Sequence, residues 1–276
     1  MLRFSRPPIW AGAFALLMAM CDAHGAYFAD SVVDFNQGTG ADVLFGDASA
    51  TTGSPDDLTG ENPLASNFYG FANVLGIYSP AYQGDEIFQL GAGGFITLDL
   101  GVQVHPIAGA EIGVFESIGL YESMLPDGSV ILDSFGADPA DVEVSSDSVG
   151  WVPLNAGLPI DFVNPAQFYT NAGPYDASAP TSPQRADFGL PFYGTLAGQA
   201  NNYAAAVAAL GGSAGGNWLD ISGTGLPYVQ FVRFSIPANA TTTFELDAVS
   251  INPLAVPEPA STGLIIVGYW IARRRR

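Results

Sequence analysis

The sequence predicts an all-β protein, an antiparallel β-sandwich with one short helix, and three observations lead to this prediction. Seven segments alternate apolar with polar or small residues, as half-buried strands do, at residues 31–35, 95–100, 112–116, 130–135, 142–146, 229–236 and 244–251. Clusters of Gly, Pro, Asn and Asp separate these segments, as turns between strands require. Only residues 199–210, rich in alanine and followed by Gly211 and Gly212, have the composition of a helix. Short strands with little helix bury their faces best against a second sheet.

The first element, residues 1–25, has the features of a cleaved signal peptide with a helical apolar segment. Two arginines precede an apolar run, and Ala23 and Gly25 are small residues at the spacing that signal peptidase needs. The predicted mature chain therefore begins at Ala26. Cys21 leaves a lipoprotein alternative open, in which this cysteine is acylated, although the bulky Met20 stands before it.

The predicted mature region is strongly acidic. Between residues 26 and 256 there are 25 acidic residues, two arginines (Arg185 and Arg233) and no lysine, which gives a net charge of −23. Such a surface repels nucleic acid and anionic membranes, so neither is an expected partner. The same region has no cysteine and one histidine, His105, which excludes disulfides and zinc sites built from Cys and His.

Several blocks of the middle region resemble known exported domains. Residues 93–101 with 113–116 look like a strand pair of bacterial jelly-roll domains. Residues 142–148, followed by Trp151, resemble a hairpin of discoidin-like (galactose-binding-like) sandwiches, and 228–234 with 244–249 resemble their closing strands. The resemblance implies a galactose-binding-like jelly roll over residues 26–254, in which Trp151 packs back into the core.

Two acidic residues on the last strand are candidate calcium ligands. Glu245 and Asp247 flank one residue of a predicted strand, so both carboxylates are expected on one face. With a third acid such as Asp220 or Asp34, they would supply the oxygen ligands that calcium prefers. A structural calcium is common in discoidin-like carbohydrate-binding domains, so the resemblance also implies this cofactor. The alternative is a pair of acids exposed to solvent.

Aromatic residues in the predicted loops are candidate ligand-binding residues. Residues 38–62 and 157–186 form long predicted loops, which are uncommon in compact domains unless they have a function. Sugar-binding modules stack sugar rings on such aromatics and use Arg or Asn for hydrogen bonds. The candidates are Tyr169, Tyr175, Tyr193 and Arg185. The alternative is that the loops fold down and bury these rings over the sandwich.

A catalytic constellation is not evident. Asp99 and Glu116 each follow an apolar strand residue and are expected to face away from it, so they form a candidate carboxylate pair for a glycosidase. The chain has no Gly-x-Ser-x-Gly motif, and His105 precedes a proline in a predicted turn. We therefore expect no catalytic residues.

The last segment, residues 255–276, carries a three-part tail. Pro257, Glu258 and Pro259 form a rigid motif, an apolar segment follows at 261–272, and the chain ends in Arg273, Arg274, Arg275 and Arg276. The tail resembles the PEP-CTERM sorting signal of Gram-negative bacteria, which implies processing by an exosortase and transient anchoring in the inner membrane. Twelve helical residues span roughly 18 Å, short of a ~30 Å hydrocarbon core, so the expected transmembrane helix needs help from its flanks.

Three functions remain open at this point. The favoured one is a non-enzymatic cell-surface or matrix protein that is exported through the exosortase route and associates with exopolysaccharide, as the PEP-CTERM resemblance implies. The second is a carbohydrate-active enzyme with a carboxylate pair, and the third is a purely structural surface protein.

Overall fold

A computed structural model of the chain describes residues 27–55, 57–60, 74–174, 178–198 and 202–257. These residues form thirteen strands and one α-helix, α1 (Tyr203–Leu210). The strands are β1 (Tyr27–Phe28), β2 (Ser31–Asn36), β3 (Phe88–Leu90), β4 (Phe95–Val104), β5 (Ile112–Glu116), β6 (Gly119–Met124), β7 (Val130–Phe135), β8 (Pro139–Ser145), β9 (Val152–Pro153), β10 (Ile160–Asp161), β11 (Asn217–Leu219), β12 (Val229–Ser235) and β13 (Phe244–Ile251).

Three antiparallel sheets make up this architecture. The five-stranded sheet has the order β1-β13-β5-β11, and β3 also pairs with β13. The six-stranded sheet has the order β10-β8-β12-β4-β2, and β9 also pairs with β8. Strands β6 and β7 form a separate hairpin. The two strands that resemble closing strands, β12 and β13, thus lie inside the two larger sheets rather than at their edges.

The main hydrophobic core lies between the two larger sheets, which makes the molecule a β-sandwich. Alternate residues of facing strands meet there, because side chains alternate between the two faces of a strand. β5 contributes Ile112 and Val114, whereas β12 contributes Val232 and Phe234. The rings of Phe234 and Phe244 stack with centroids 5.6 Å apart, one from each sheet.

A second cluster covers the outer face of the five-stranded sheet. Phe115 of β5 and Ala248 of β13 point away from the main core and pack against buried residues of the loops, chiefly Phe168 and Phe188. The rings of Phe115 and Phe188 lie 5.2 Å apart. The outer face of this sheet is therefore interior rather than surface.

The predicted all-β class is confirmed, and each of the seven predicted strands is present within a few residues of its expected bounds. The described part of the predicted helix begins after Asn202, whose side chain accepts a hydrogen bond from the amide of Ala205 (2.9 Å), and it ends at Gly211 in the left-handed conformation (φ 60°). The pattern missed six strands, of which β3 and β6 are the most substantial. β3 has only three residues, Phe-Gln-Leu, which is too short for alternation to predict a strand.

The predicted signal peptide, the apolar segment 261–272 and the arginine cluster lie outside the described residues. Within the described part of the chain, no helix is long and apolar enough to cross a membrane. Ala255, which the sequence analysis placed in the tail, is buried in the main core, and its carbonyl accepts a hydrogen bond from the amide of His105 (2.8 Å). The packed body thus continues up to the start of the proline motif.

Candidate functional site

The outer face of the six-stranded sheet is open and carries polar and aromatic side chains. Alternate residues of β4, β8 and β12 point into the core, so their neighbours point outward. The outward residues are Phe95, Thr97, Asp99, Asp141, Glu143, Phe231, Arg233 and Ser235. The strand register places Arg233 between Thr97 of β4 and Glu143 of β8. The side chains of Arg233 and Glu143 are 28% and 33% exposed, so solvent reaches the middle of this face.

Arg233 is fixed at the centre of the face by four neighbours. Its Nε donates a hydrogen bond to the hydroxyl of Thr97 (3.0 Å), and its Nη1 lies 3.8 Å from a carboxylate oxygen of Glu143. The guanidinium carbon is 3.9 Å from the ring centroid of Trp151 and 5.7 Å from that of Phe95. Cation–π contacts attract a guanidinium to the face of an aromatic ring. The result is a rigid polar platform with an aromatic wall.

The turn between β8 and β9 brings Trp151 to this face. Asp147 Oδ1 accepts hydrogen bonds from the amides of Val149 and Gly150, both at 2.9 Å, and Ser148 takes the left-handed conformation (φ 60°) that glycine usually fills. The expectation that Trp151 packs back into the core is wrong, because the outward register of this hairpin directs the ring onto Arg233.

A pocket of about 250 Å³ adjoins the platform. Its floor is formed by outward residues of β8 and β12, and its wall by the segment that follows β9. The lining residues are Asp141, Val142, Glu143, Pro153, Gly157, Leu158 and Ser235. Carboxylates accept hydrogen bonds from hydroxyl groups, and Pro153 and Leu158 offer apolar surface to the carbon face of a small ring. Its volume lies just below the ~300–1,000 Å³ typical of ligand pockets, which suits a single small ring.

The structure brings two of the predicted loop ligands together. Tyr169 and Arg185 are partners in an isolated antiparallel bridge, and the Arg185 guanidinium carbon lies 4.5 Å from the centroid of the Phe168 ring. Tyr169 is buried, and its hydroxyl donates a hydrogen bond to Asp57 (3.1 Å). Burial, followed by this hydrogen bond and the charge of Asp57, raises the pKa of Tyr169. The ring of Tyr169 is thus buried in the loops that cover the five-stranded sheet. Burial of the loop aromatics over the sandwich was the alternative to ligand binding.

The other two predicted loop ligands do not join this pair within the described residues. Tyr193 is 70% exposed, and its hydroxyl accepts a hydrogen bond from the amide of Ala110 (3.2 Å). Tyr175 lies outside the described residues. A single site made of all four predicted residues is therefore not observed.

The predicted calcium ligands occupy different surroundings from those expected. Glu245 accepts a hydrogen bond from the side chain of Gln89 (2.6 Å), and burial is the main cause that raises its pKa. The register shifts between Leu246 and Ala248, so Asp247 lies at a bulge and strand alternation no longer places it on the face of Glu245. Among the described residues, no three His, Cys, Asp or Glu side chains form a group that could hold a metal ion. The calcium site stays a prediction.

The candidate carboxylate pair is divided between the two sheets. Asp99 lies on the outer face of β4, where it accepts a hydrogen bond from the amide of Gly101 (2.8 Å). Glu116 faces away from Phe115 as expected, but Phe115 points to the outer face, so Glu116 is buried on the core side at the end of β5. His105 lies beside Tyr228, with ring centroids 5.9 Å apart, and none of the described nucleophilic side chains hydrogen-bonds to its buried Nε2.

Of the predicted sorting motif, Pro257 is exposed at the end of the described chain, and Glu258, Pro259 and the four terminal arginines lie outside it. No protein-family model matches the chain, and no curated protein is similar to it at a significant level.

Proposed function

We propose that this chain is an exported, non-enzymatic surface or matrix protein that binds exopolysaccharide through the outer face of its six-stranded sheet. The observation that carries the proposal is the platform of Arg233 and Trp151 beside the pocket of Asp141 and Glu143. The fold proposed for the described domain is a galactose-binding-like jelly roll. Its support is the two-sheet antiparallel arrangement in which β12 and β13 are interior strands.

The chemistry of the face suits a neutral glycan. Sugar rings present apolar faces to aromatic side chains and hydroxyl groups to carboxylates and guanidinium groups. Here the guanidinium of Arg233 and the carboxylates of Asp141 and Glu143 lie on the adjacent strands β12 and β8, and Trp151 reaches Arg233 from the turn before β9. The net charge of −23 over residues 26–256 opposes strongly anionic polymers, so uncharged polysaccharides are the expected ligands.

A glycan-array screen of residues 26–256 tests the binding proposal, run once with calcium and once with a chelator. We expect selective binding to neutral glycans and a loss of about tenfold or more in affinity for Trp151→Ala and for Arg233→Met, equivalent to ~1.4 kcal/mol. Incubation of the bound glycans should release no shorter products, because the proposal is non-enzymatic.

Tyr193→Ala provides the matched control, because it removes another partly exposed aromatic that the sequence had pointed to. Binding that is lost in Tyr193→Ala and kept in Trp151→Ala would move the site to the loops. A blank array would favour the purely structural surface protein, and shortened glycans would favour the enzyme. Binding that disappears with the chelator would support the predicted calcium.

The proposed route of export is an exosortase-type system in the inner membrane of a Gram-negative bacterium. Its support is the pairing of an N-terminal signal with the motif, apolar segment and arginines of the tail. Mass spectrometry of the protein from its native host should show an N-terminus near Ala26 and the loss of the terminal arginines. Intact Arg276 on an otherwise mature protein would contradict the sorting part of the proposal.

A further inference from the structure

Glu116 is a carboxyl group buried between the two sheets. It is the last residue of β5, and alternation from Ile112 and Val114 directs it towards the main core. Its strand partner is Leu246 of β13, which also belongs to that core. The residue is 3% exposed. A titratable group therefore occupies a position where the pattern of the strand calls for an apolar side chain.

Neither oxygen of the Glu116 carboxyl has a hydrogen-bond partner among the described residues. Glu111, just before the same strand, is by contrast a buried glutamate whose two carboxyl oxygens both have hydrogen-bond donors. It is 0% exposed, and its two oxygens accept hydrogen bonds from the amides of Ile107 (2.7 Å) and Ile221 (2.9 Å). A buried charge without such donors is far more costly than a buried neutral carboxyl, so Glu116 favours its protonated form.

The charged groups that act on Glu116 are all acidic. Glu245 belongs to β13 of the same sheet, Asp161 lies in β10 of the opposite sheet, and Asp138 directly precedes β8. Burial first, and then the charges of Asp138, Glu245 and Asp161, raise the pKa of Glu116 well above its usual value. The two arginines of the described chain are placed elsewhere, Arg185 over Phe168 and Arg233 over Trp151. Neither of them neutralises this cluster.

The acidic side chains of the described residues do not form a group of three that could hold an ion. A retained proton neutralises Glu116 without any other group, which suits a buried carboxyl with no hydrogen-bond donor beside it.

We propose that Glu116 is a proton-dependent latch between the two sheets: the protonated side chain lets the sandwich close at this end, and loss of the proton loosens it. The proton passes to solvent and leaves a carboxylate that the charges of Asp138, Glu245 and Asp161 disfavour. The folded protein is then more stable at low pH, and high pH opens the sandwich at the end that contains Glu116. This inference does not depend on the proposed glycan binding.

The direction of the pH dependence follows from linkage. The folded-state pKa of Glu116 is raised, so the folded protein holds this proton over a pH range in which the unfolded chain has released it. The contribution to stability is complete below the ordinary glutamate value of 4.5 and is lost as pH rises through the raised value. Stability should therefore fall with increasing pH, from about pH 4.5 upward.

The test compares the melting temperatures of the full-length chain, Glu116→Gln and Asp85→Asn across pH 5 to 9. Glu116→Gln is neutral and nearly isosteric, whereas Asp85→Asn removes one exposed carboxylate and serves as the control for net charge. We expect the unsubstituted protein and Asp85→Asn to lose stability in parallel as pH rises. Glu116→Gln should lose less, so that at pH 9 it melts about 3 °C or more above the unsubstituted protein.

Parallel curves for all three proteins would overturn the latch. Calcium that raises the melting temperature of the unsubstituted protein, but not that of Glu116→Gln, would also overturn it and show that a metal neutralises the cluster. If Glu116→Gln does not fold, infrared titration of the unsubstituted protein keeps the proposal falsifiable. The absence of a protonated-carboxyl band at pH 6 would overturn the latch.

Discussion

The outer face of one large sheet is covered by loops, whereas that of the other is open. On the five-stranded sheet, Phe115 and Ala248 point outward and are covered by loops that bring Phe168 and Phe188 over them. On the six-stranded sheet, the equivalent outward positions hold Arg233 and its polar neighbours, and no comparable cluster of buried apolar residues covers them among the described residues. The difference shows that the long loops of this protein are part of the core on one side. The strands themselves form the surface on the other side.

The largest expected effect is the difference in stability lost when one phenylalanine on each outer face is replaced by alanine. Phe115→Ala should lower the free energy of unfolding by about 3–5 kcal/mol, because Phe115 is fully buried and a cavity would remain. Phe231→Ala, on the half-open face, should cost about 1 kcal/mol, because less apolar area is removed from contact. Chemical denaturation of both variants measures the difference. Equal losses would mean that the second face is also covered.

The next effect compares the two arginines that lie over rings. Arg233→Met should destabilise the protein by about 1–2 kcal/mol, since it removes the stacking on Trp151 together with a hydrogen bond and an ion pair. Arg185→Met should cost about 0.5 kcal/mol, because Arg185 is exposed and its described contact with a ring is the one to Phe168. Thermal melts of the two variants provide the measurement. A larger loss for Arg185 would contradict the view that Arg233 is the rigid centre.

The smallest effect concerns a ring that the sequence had pointed to as a ligand. Tyr169→Phe should lower the stability by about 1 kcal/mol or less, because it removes the hydrogen bond to Asp57 and keeps the buried ring. Glycan affinity should not change, since Tyr169 belongs to the covered side. A tenfold fall in affinity, measured with the same arrays, would return Tyr169 to the binding site.

The sequence predicted the fold class well because the strands on the main core alternate. β5, β12 and β13 were found at or within a residue of their observed bounds, since apolar and polar or small residues alternate in their sequences, even though all five residues of β5 are buried. β3 was missed because three residues are too few for a pattern, and β6 because its residues do not alternate. These short strands owe their conformation to their partners, which a local pattern does not reveal.

The candidate site was harder to predict than the fold. Alternation alone indicates that Arg233 points outward from β12. It does not say that Thr97 and Glu143 flank it, because strand register is a property of the folded sheet. The sequence pointed instead to aromatic residues in the predicted loops as the binding site. A sequence does not distinguish a buried loop ring such as Tyr169 from an exposed one. Glu116 was expected to face away from Phe115, and the sequence does not reveal that Phe115 points to the outer face and Glu116 to the core.

Proteolytic cleavage after the two arginines also reports on unfolding of the domain. Trypsin cleaves after lysine and arginine, so residues 26–256 offer it two sites. Arg185 is exposed in the segment between β10 and α1, whereas Arg233 lies in β12, paired on both sides by β4 and β8. The amide of Ala186 donates a hydrogen bond to the carbonyl of Phe168 (2.8 Å), so protease should cut after Arg185 when the loops over the five-stranded sheet open locally. The peptide bond after Arg233 should stay intact until the sandwich itself opens. The rate of cleavage after Arg233 then measures opening of the sandwich without any label.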